Sequence, residues 1–243
     1  MNRVKMTLNN INIITILLLL FACNVQEEVA PITTVKQEQN SAAKLSYLAL
    51  GDSYTIGESV SNNKNFPKQL EKTLESTLNS SIKTTIIART GWRTDNLLEA
   101  LETADLENSY SFVTLLIGVN NQYQDASFAQ YEKEFPELLA KAIALAGNNS
   151  KRVAVVSIPD WGFTPFGENR NRQKITSEID NYNSFAQSKA KDSQVSFVEI
   201  TDITREGLDK PELVAKDGLH PSAEAYRLFA ERIAPIISNG LKD

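Results

Sequence analysis

Histidine and cysteine are almost missing from this chain: its 243 residues hold one of each, His220 and Cys23. A single cysteine excludes any intrachain disulfide. One imidazole and one thiol leave almost none of the usual zinc ligands, so no zinc site is expected. Basic residues are in the minority, 25 Lys and Arg against 30 Asp and Glu, and no basic stripe gathers them. The net charge of -5 speaks against nucleic acid as a partner, because phosphate binding needs clustered cations. There is also no internal repeat and no second block of composition. What remains, 42% hydrophobic and 23% charged residues, is ordinary for a globular protein.

The N-terminus stands apart. Arg3 and Lys5 precede the apolar run INIITILLLLFAC, which ends at Cys23. The run is short of the roughly 20 residues of a comfortable membrane span and suits the core of a signal peptide. Its end, Leu20, Phe21, Ala22 and then Cys23, resembles the bacterial lipoprotein signal, in which cleavage ahead of the cysteine leaves it to carry lipid. That resemblance implies a signal peptide over 1–22, lipidation at Cys23, and an exported protein held at a membrane of the bacterial cell envelope, periplasmic or at the cell surface. The plainer alternative is a secretory signal with an incidental cysteine. Residues 24–44 are polar and aperiodic and read as a flexible tether, so Cys23 and the tether together span 23–44. An edge strand is the alternative for part of it.

From there apolar runs alternate with amphipathic stretches. LSYLALG (45–51), IKTTIIA (82–88), SFVTLLIG (111–118), RVAVVSIP (152–159) and VSFVEI (195–200) read as strands, the third being the most apolar and so the central one. FPKQLEKTLESTL (66–78) places Phe66, Leu70, Leu74 and Leu78 on one helical face. TDNLLEALETA (94–104), the stretches 128–147 and 178–192, and PSAEAYRLFAERIAPIIS (221–238) also read as helices. The helix over 128–147 is expected to bend or restart near Pro136 and to stop at Gly147. The last should bury Ala225, Phe229, Ile233 and Ile236 or Ile237. The alternation predicts one α/β domain over 45–243, a parallel sheet of about five strands with helices on both faces. Ligands of such sheets lie beyond the carboxyl ends of the strands.

The loops at that edge carry four features. GDSYTIG (51–57) holds Ser53, whose hydroxyl becomes a nucleophile only when a base takes its proton; otherwise it merely caps a helix. Gly91, in ARTGWRT, lets the backbone approach a ligand and offer its N–H, or simply makes a turn. Asn120, in GVNNQ, has an amide that can donate to a developing oxyanion, or serves turn chemistry. KDGLHPS (216–222) sets Asp217 three residues before His220, and Pro221 biases His220 toward an extended backbone, which frees its imidazole.

Taken in order, Gly51-Asp52-Ser53, Gly91, Asn120 and Asp217-x-x-His220 resemble the SGNH subset of the GDSL hydrolase family across the whole domain. Asn121 stands where that family often has Asp. The Gly-x-Ser-x-Gly elbow of α/β-hydrolases is absent, since Tyr54 and Thr55 follow Ser53. The resemblance implies a flavodoxin-like fold and a serine esterase that needs no metal and no other cofactor. Ser53 would be the nucleophile, His220 the base and Asp217 its orienting carboxylate, with the N–H groups of Ser53 and Gly91 and the Asn120 amide forming the oxyanion hole. Asp52 would organise the turn. Trp92 and Arg93 either line the substrate cleft or are a packed Trp and a solvated Arg. PDWGFTPFG (159–167), with Trp161, Phe163 and Phe166, either rims the site or covers the sheet end. The expected substrate is a small ester of short to medium acyl chain, a lysophospholipid or an O-acetylated glycan, and the expected state is a monomer. Two other functions share these residues: a surface lipoprotein that binds a ligand without catalysis, and an acyltransferase to a cell-wall sugar.

Overall fold

A computed structural model describes residues 44–242. The expected signal peptide, the lipidation at Cys23 and the tether up to residue 43 lie outside the described residues. Five strands alternate with helices: β1 (Lys44–Asp52), β2 (Ser81–Arg89), β3 (Phe112–Leu116), β4 (Val153–Val156) and β5 (Ser196–Val198). The helices are α1 (Ser53–Ile56), α2 (Phe66–Leu78), α3 (Thr94–Thr103), α4 (Val119–Tyr123), α5 (Phe128–Leu145), α6 (Arg172–Asp192), α7 (Thr201–Thr204) and α8 (Ala223–Gly240).

All pairings are parallel and the strand order is β2-β1-β3-β4-β5. The most apolar run, β3, is central. It is buried along its full length, as a strand covered on both faces must be. The chain first steps outward from β1 to β2, then crosses back over β1 to β3. With right-handed crossovers this reversal puts α2 on one face and α3 on the other. α8 packs on α2, while α3, α5 and α6 pack in sequence. The reversal also opens a crevice beyond the carboxyl ends of β1 and β3, the topological switch point where such sheets hold ligands.

The long elements fall where periodicity puts them, with three differences. α6 begins at Arg172 rather than near residue 178. Its first turns are polar and bury only Ile175 and Ile179, one helical turn apart, which is too sparse a signal to extend the helix from sequence. Asn171 caps it by accepting from Lys174 N at 3.1 Å. α5 runs through Pro136 without restarting, as α8 runs through Pro235. In each case the carbonyl deprived of its donor, on Glu132 or Glu231, belongs to an exposed residue, so the lost bond falls on the solvent side of the helix. In α8 the buried stripe ends on Ile237, and Ile236 is only partly covered. The short α1, α4 and α7 give no periodic signal, yet the first two begin where β1 and β3 end.

Gly51 lies opposite Leu116 in the sheet. A Cβ there would run into Thr55 Oγ1 and the Leu116 carbonyl, well inside van der Waals contact. The absent side chain lets α1 fold back against the end of the sheet. Gly51→Ala is therefore expected to cost about 3 kcal/mol or more, seen as a lowered midpoint in thermal unfolding; wild-type stability would show that this close approach relaxes freely.

Candidate active site

β1 ends at Asp52, whose buried Oδ1 accepts the Tyr54 N–H at 3.0 Å and so starts α1. Ser53 is the first residue of that turn and is 4% exposed. The loop before α8 is closed by an antiparallel bridge between Val214 and Pro221 and by Ala215 N donating to His220 O at 2.7 Å. Inside it, Asp217 Oδ1 accepts the N–H groups of Leu219 and His220, both at 3.0 Å. This side-chain turn fixes Asp217 relative to His220 before any long-range contact is made.

Across these two segments a continuous relay forms. Ser53 Oγ lies 3.0 Å from His220 Nε2, and His220 Nδ1 lies 2.6 Å from Asp217 Oδ2. The Tyr54 ring sits beside the imidazole, with centroids 4.9 Å apart. Partial burial alone would raise the Asp217 carboxyl. Hydrogen bonds from the His220 ring, the Leu219 N–H, the Ser59 hydroxyl and the His220 N–H overcome it and hold Asp217 down at about 2. It is thus an anion at any ordinary pH.

Asn120, in α4, points Nδ2 at Trp92 O (3.1 Å) and, at a long 3.4 Å, at Asp52 Oδ2. Gly91 has φ +80, the left-handed region, and a Cβ there would meet nothing within 4 Å. Its N–H makes no hydrogen bond among the described residues. Its carbonyl accepts from Gln124 Nε2 at 2.8 Å. Ser53, Gly91, Asn120 and His220 all line one cleft of about 300 Å³, with Tyr54, Thr90, Val119, Tyr123, Gln124, Trp161, Phe166 and Leu219 completing its walls. Asp217 stands behind the imidazole.

The GDSL-like lipase/acylhydrolase family model matches residues 49–228. The chain belongs to that family. No curated protein matches it in sequence. Among solved structures it resembles Axe2, an acetylxylan esterase from Geobacillus stearothermophilus, at 15% identity and a TM-score of 0.62, over 84% of this chain and 96% of that one. It also resembles the lipase/acylhydrolase from Enterococcus faecalis, at 19% identity and TM-score 0.62, over 80% and 96%. A G-D-S-L lipolytic protein from Veillonella parvula aligns at 17% and 0.60, over 81% and 99%. At such identities these likenesses establish the shared fold.

In this GDSL-like protein three of the candidates for the cleft, Arg93, Trp92 and Phe163, do not line it. Arg93 is held by a two-pronged bond to Asp95 (2.6 and 3.2 Å) and donates to Gln124 Oε1 at 2.9 Å, behind the cleft wall that Gln124 helps form. Trp92 packs partly buried against the core and faces the site only through its carbonyl. Phe163 lies under the Arg172 guanidinium, 5.1 Å from ring centre to charge. Trp161 does line the cleft, joined by Phe166 and by Tyr123, which sequence did not single out. Tyr123 and Phe166, 44% and 38% exposed, are the exposed large apolar side chains among the described residues, and both sit at this mouth. Sequence offered one usable hint for Tyr123: it lies three residues after Asn120, one turn along the same strand-end segment.

The wall these rings build is held from below. Asp160, fully buried, accepts from Gly162 N (3.0 Å), Thr176 Oγ1 (2.8 Å) and Arg205 Nε (3.0 Å). Phe166 N donates to Gly218 O at 2.9 Å, which ties the wall to the His220 loop. Asn121 is buried and packs the neighbouring loop: its Oδ1 accepts from Thr94 N and its Nδ2 donates to Thr94 Oγ1. The Thr94 hydroxyl gives its own proton to Glu134, so a carboxylate at 121 could not replace the bond from Nδ2.

Asp52 has the opposite electrostatics from Asp217. Burial raises its carboxyl to about 7, against the hydrogen bonds from Tyr54 N–H and the Asn120 amide. A folded value above the unfolded one stabilises the fold fully below the unfolded pKa, and that contribution is lost as pH rises through about 7. Asp52→Asn removes the ionisation. Its thermal midpoint is expected to gain on wild type by about 5 °C between about pH 5 and pH 8, with ester turnover far less affected than on loss of Ser53. Parallel melting curves for the two proteins would refute the buried-acid account.

Proposed function

We propose that this protein is a serine esterase that uses Ser53, His220 and Asp217 through an acyl-enzyme. The observation that carries the reading is the unbroken relay from Ser53 Oγ through the imidazole to Asp217, opening into an apolar-walled cleft. Family membership supports ester hydrolysis in general. His220 Nε2 takes the hydroxyl proton as Ser53 Oγ bonds to the ester carbonyl carbon. Asp217 holds the Nδ1–H tautomer and stabilises the imidazolium that forms. The carbonyl oxygen becomes an oxyanion, for which the N–H groups of Ser53 and Gly91 and the Asn120 amide are the donors. The Asn120 bond to Asp52 is long, so an oxyanion is the better acceptor for that hydrogen. His220 then protonates the departing alcohol. Water, deprotonated by the same nitrogen, attacks the acyl-enzyme and releases the acid.

The aromatic mouth of Tyr123, Trp161 and Phe166 gives an acyl chain apolar surface, and the cleft's modest volume favours short to medium chains. Small alkyl esters, lysophospholipids and O-acetylated sugars all present a carbonyl of this kind. The protein is further proposed to act as a monomer, exported and anchored to a membrane of the cell envelope through lipid on Cys23.

Ser53→Ala and His220→Ala are each expected to lower turnover of a p-nitrophenyl ester by about a thousandfold or more. A fluorophosphonate probe should label wild type at Ser53 and leave Ser53→Ala unlabelled. Near wild-type rates in either variant, or no labelling of folded wild type, would discard the triad. Across a series of acyl lengths, rates are expected to peak at short to medium chains; steadily rising rates toward long chains would reassign the substrate class.

A further inference from the structure

We infer that Ser59 is a positioning residue for the Asp217–His220 pair, its hydroxyl setting how strongly Asp217 holds the imidazole; the inference deepens the esterase reading and rests on it. Ser59 lies in the loop that follows the nucleophile's own turn. Gly57 ends α1 in the left-handed region, Gly57 N and Glu58 N both donate to Ser53 O, and Val60 N donates to Gly57 O. These bonds fold the segment back over the His220 loop. Ser59 itself has φ +64, a conformation that costs a non-glycine residue free energy and that surrounding structure must enforce.

What this conformation accomplishes is a single contact. Ser59 Oγ donates to Asp217 Oδ2 at 2.7 Å. That is the same oxygen that receives His220 Nδ1. The other carboxylate oxygen is filled by the N–H groups of Leu219 and His220. Of the four donors on Asp217, three come from its own loop. Ser59 alone reaches it from the segment that carries the nucleophile, 158 residues away in sequence. The contact therefore ties the two halves of the relay together on the side away from the cleft.

Its chemical effect has a sign. A hydroxyl that donates to a carboxylate lowers that carboxylate's basicity, and so weakens its pull on the proton at Nδ1. Removing the hydroxyl should make Asp217 a stronger partner for the protonated ring, and should also loosen the alignment of Oδ2 with Nδ1. The other ionisable groups around the pair are Asp52 behind Ser53, Glu58 beside Ser59 and bonded to Thr90 Oγ1, and Lys216 on the same loop. The phenols of Tyr54 and of Tyr226 on α8, and Asp160 beyond Tyr54, complete the set. None of these is changed by substitution at Ser59.

Because His220 is the only histidine, its imidazole can be titrated by NMR with no assignment ambiguity. The experiment compares wild type with Ser59→Ala and Ser59→Gly, following the ring signals against pH and, in parallel, kcat and KM on a p-nitrophenyl ester across pH. Glycine accepts the positive φ freely, so it removes the hydroxyl while relieving the backbone. Both variants are expected to raise the His220 midpoint by about 0.3 pH unit or more and to shift the acid limb of kcat/KM upward by the same amount. Both should lower kcat about three- to tenfold with KM nearly unchanged. Midpoints and acid limbs that stay put or fall in either variant, whatever happens to thermal stability, would overturn the inference. A change confined to Ser59→Ala would mark Ser59 as a strained loop residue only and would overturn it equally. If wild type turns over no ester while the midpoint still rises in both variants, the coupling of Ser59 to His220 stands and the esterase reading falls.

Discussion

A hydrogen bond between side chains 167 residues apart, Ser53 Oγ to His220 Nε2, is the contact on which the rest of this molecule converges. It requires the end of the first strand and the loop before the last helix to meet at one edge of the sheet. Two packing decisions achieve this. Gly51 lets α1 fold tightly over the end of the sheet beside Leu116 of β3, which sets Ser53 at that edge. On the opposite side α8 docks on α2, and Gln69 Nε2 donates to Ala223 O at 2.8 Å, so the first turn of α8 is fixed to α2. Ser222 caps that turn by accepting from Glu224 N and Ala225 N. His220 therefore leaves a loop whose far end is anchored to a rigid helix pair.

Two aspartates near Ser53 show how environment sets identical side chains apart. Asp217, partly exposed and receiving four hydrogen bonds, stays ionised and orients the imidazole. Asp52 is wholly buried, has few donors, and its carboxyl is pushed up to about 7. It acts on the site through geometry: it starts the helical turn under Ser53 and touches the amide of Asn120.

The cleft is assembled from pieces that share no local signal. Tyr123 comes from α4, Trp161 and Phe166 from the loop after β4, and Leu219 from the His220 loop. Trp161 and Tyr123 meet edge to face with centroids 5.3 Å apart, and Trp161 donates to Gln122 at 2.7 Å. The geometry of the wall depends on Asp160 and Arg205 beneath it. An apolar surface built this way faces the cleft, while its polar supports, Asp160, Arg205 and Gln122, do not line it.

The sequence by itself determined the order and type of the long elements, because apolar spacing at a period of two or 3.6 is local information. It also determined the identities at the carboxyl edge: Ser53 after one strand, Asn120 after another, and an Asp and a lone His in a Pro-bounded loop. The pair Asp217–His220 was legible for a physical reason, since a side-chain turn over three residues needs no distant partner. Tertiary structure alone decided which neighbours of those residues face the cleft. Arg93 stood among the cleft candidates and Tyr123 did not, yet Asp95 and Gln124 hold the Arg93 guanidinium while Tyr123 lines the cleft; Phe163 looked as eligible as Phe166 until Arg172 covered its ring. Orientation of this kind depends on which of several partners folding leaves within reach, some close in sequence, as Asp95 and Arg172 are, and some distant, as Gln124 is. The same holds for Ser59, whose hydroxyl acquires meaning only through the carboxylate that folding sets beside it.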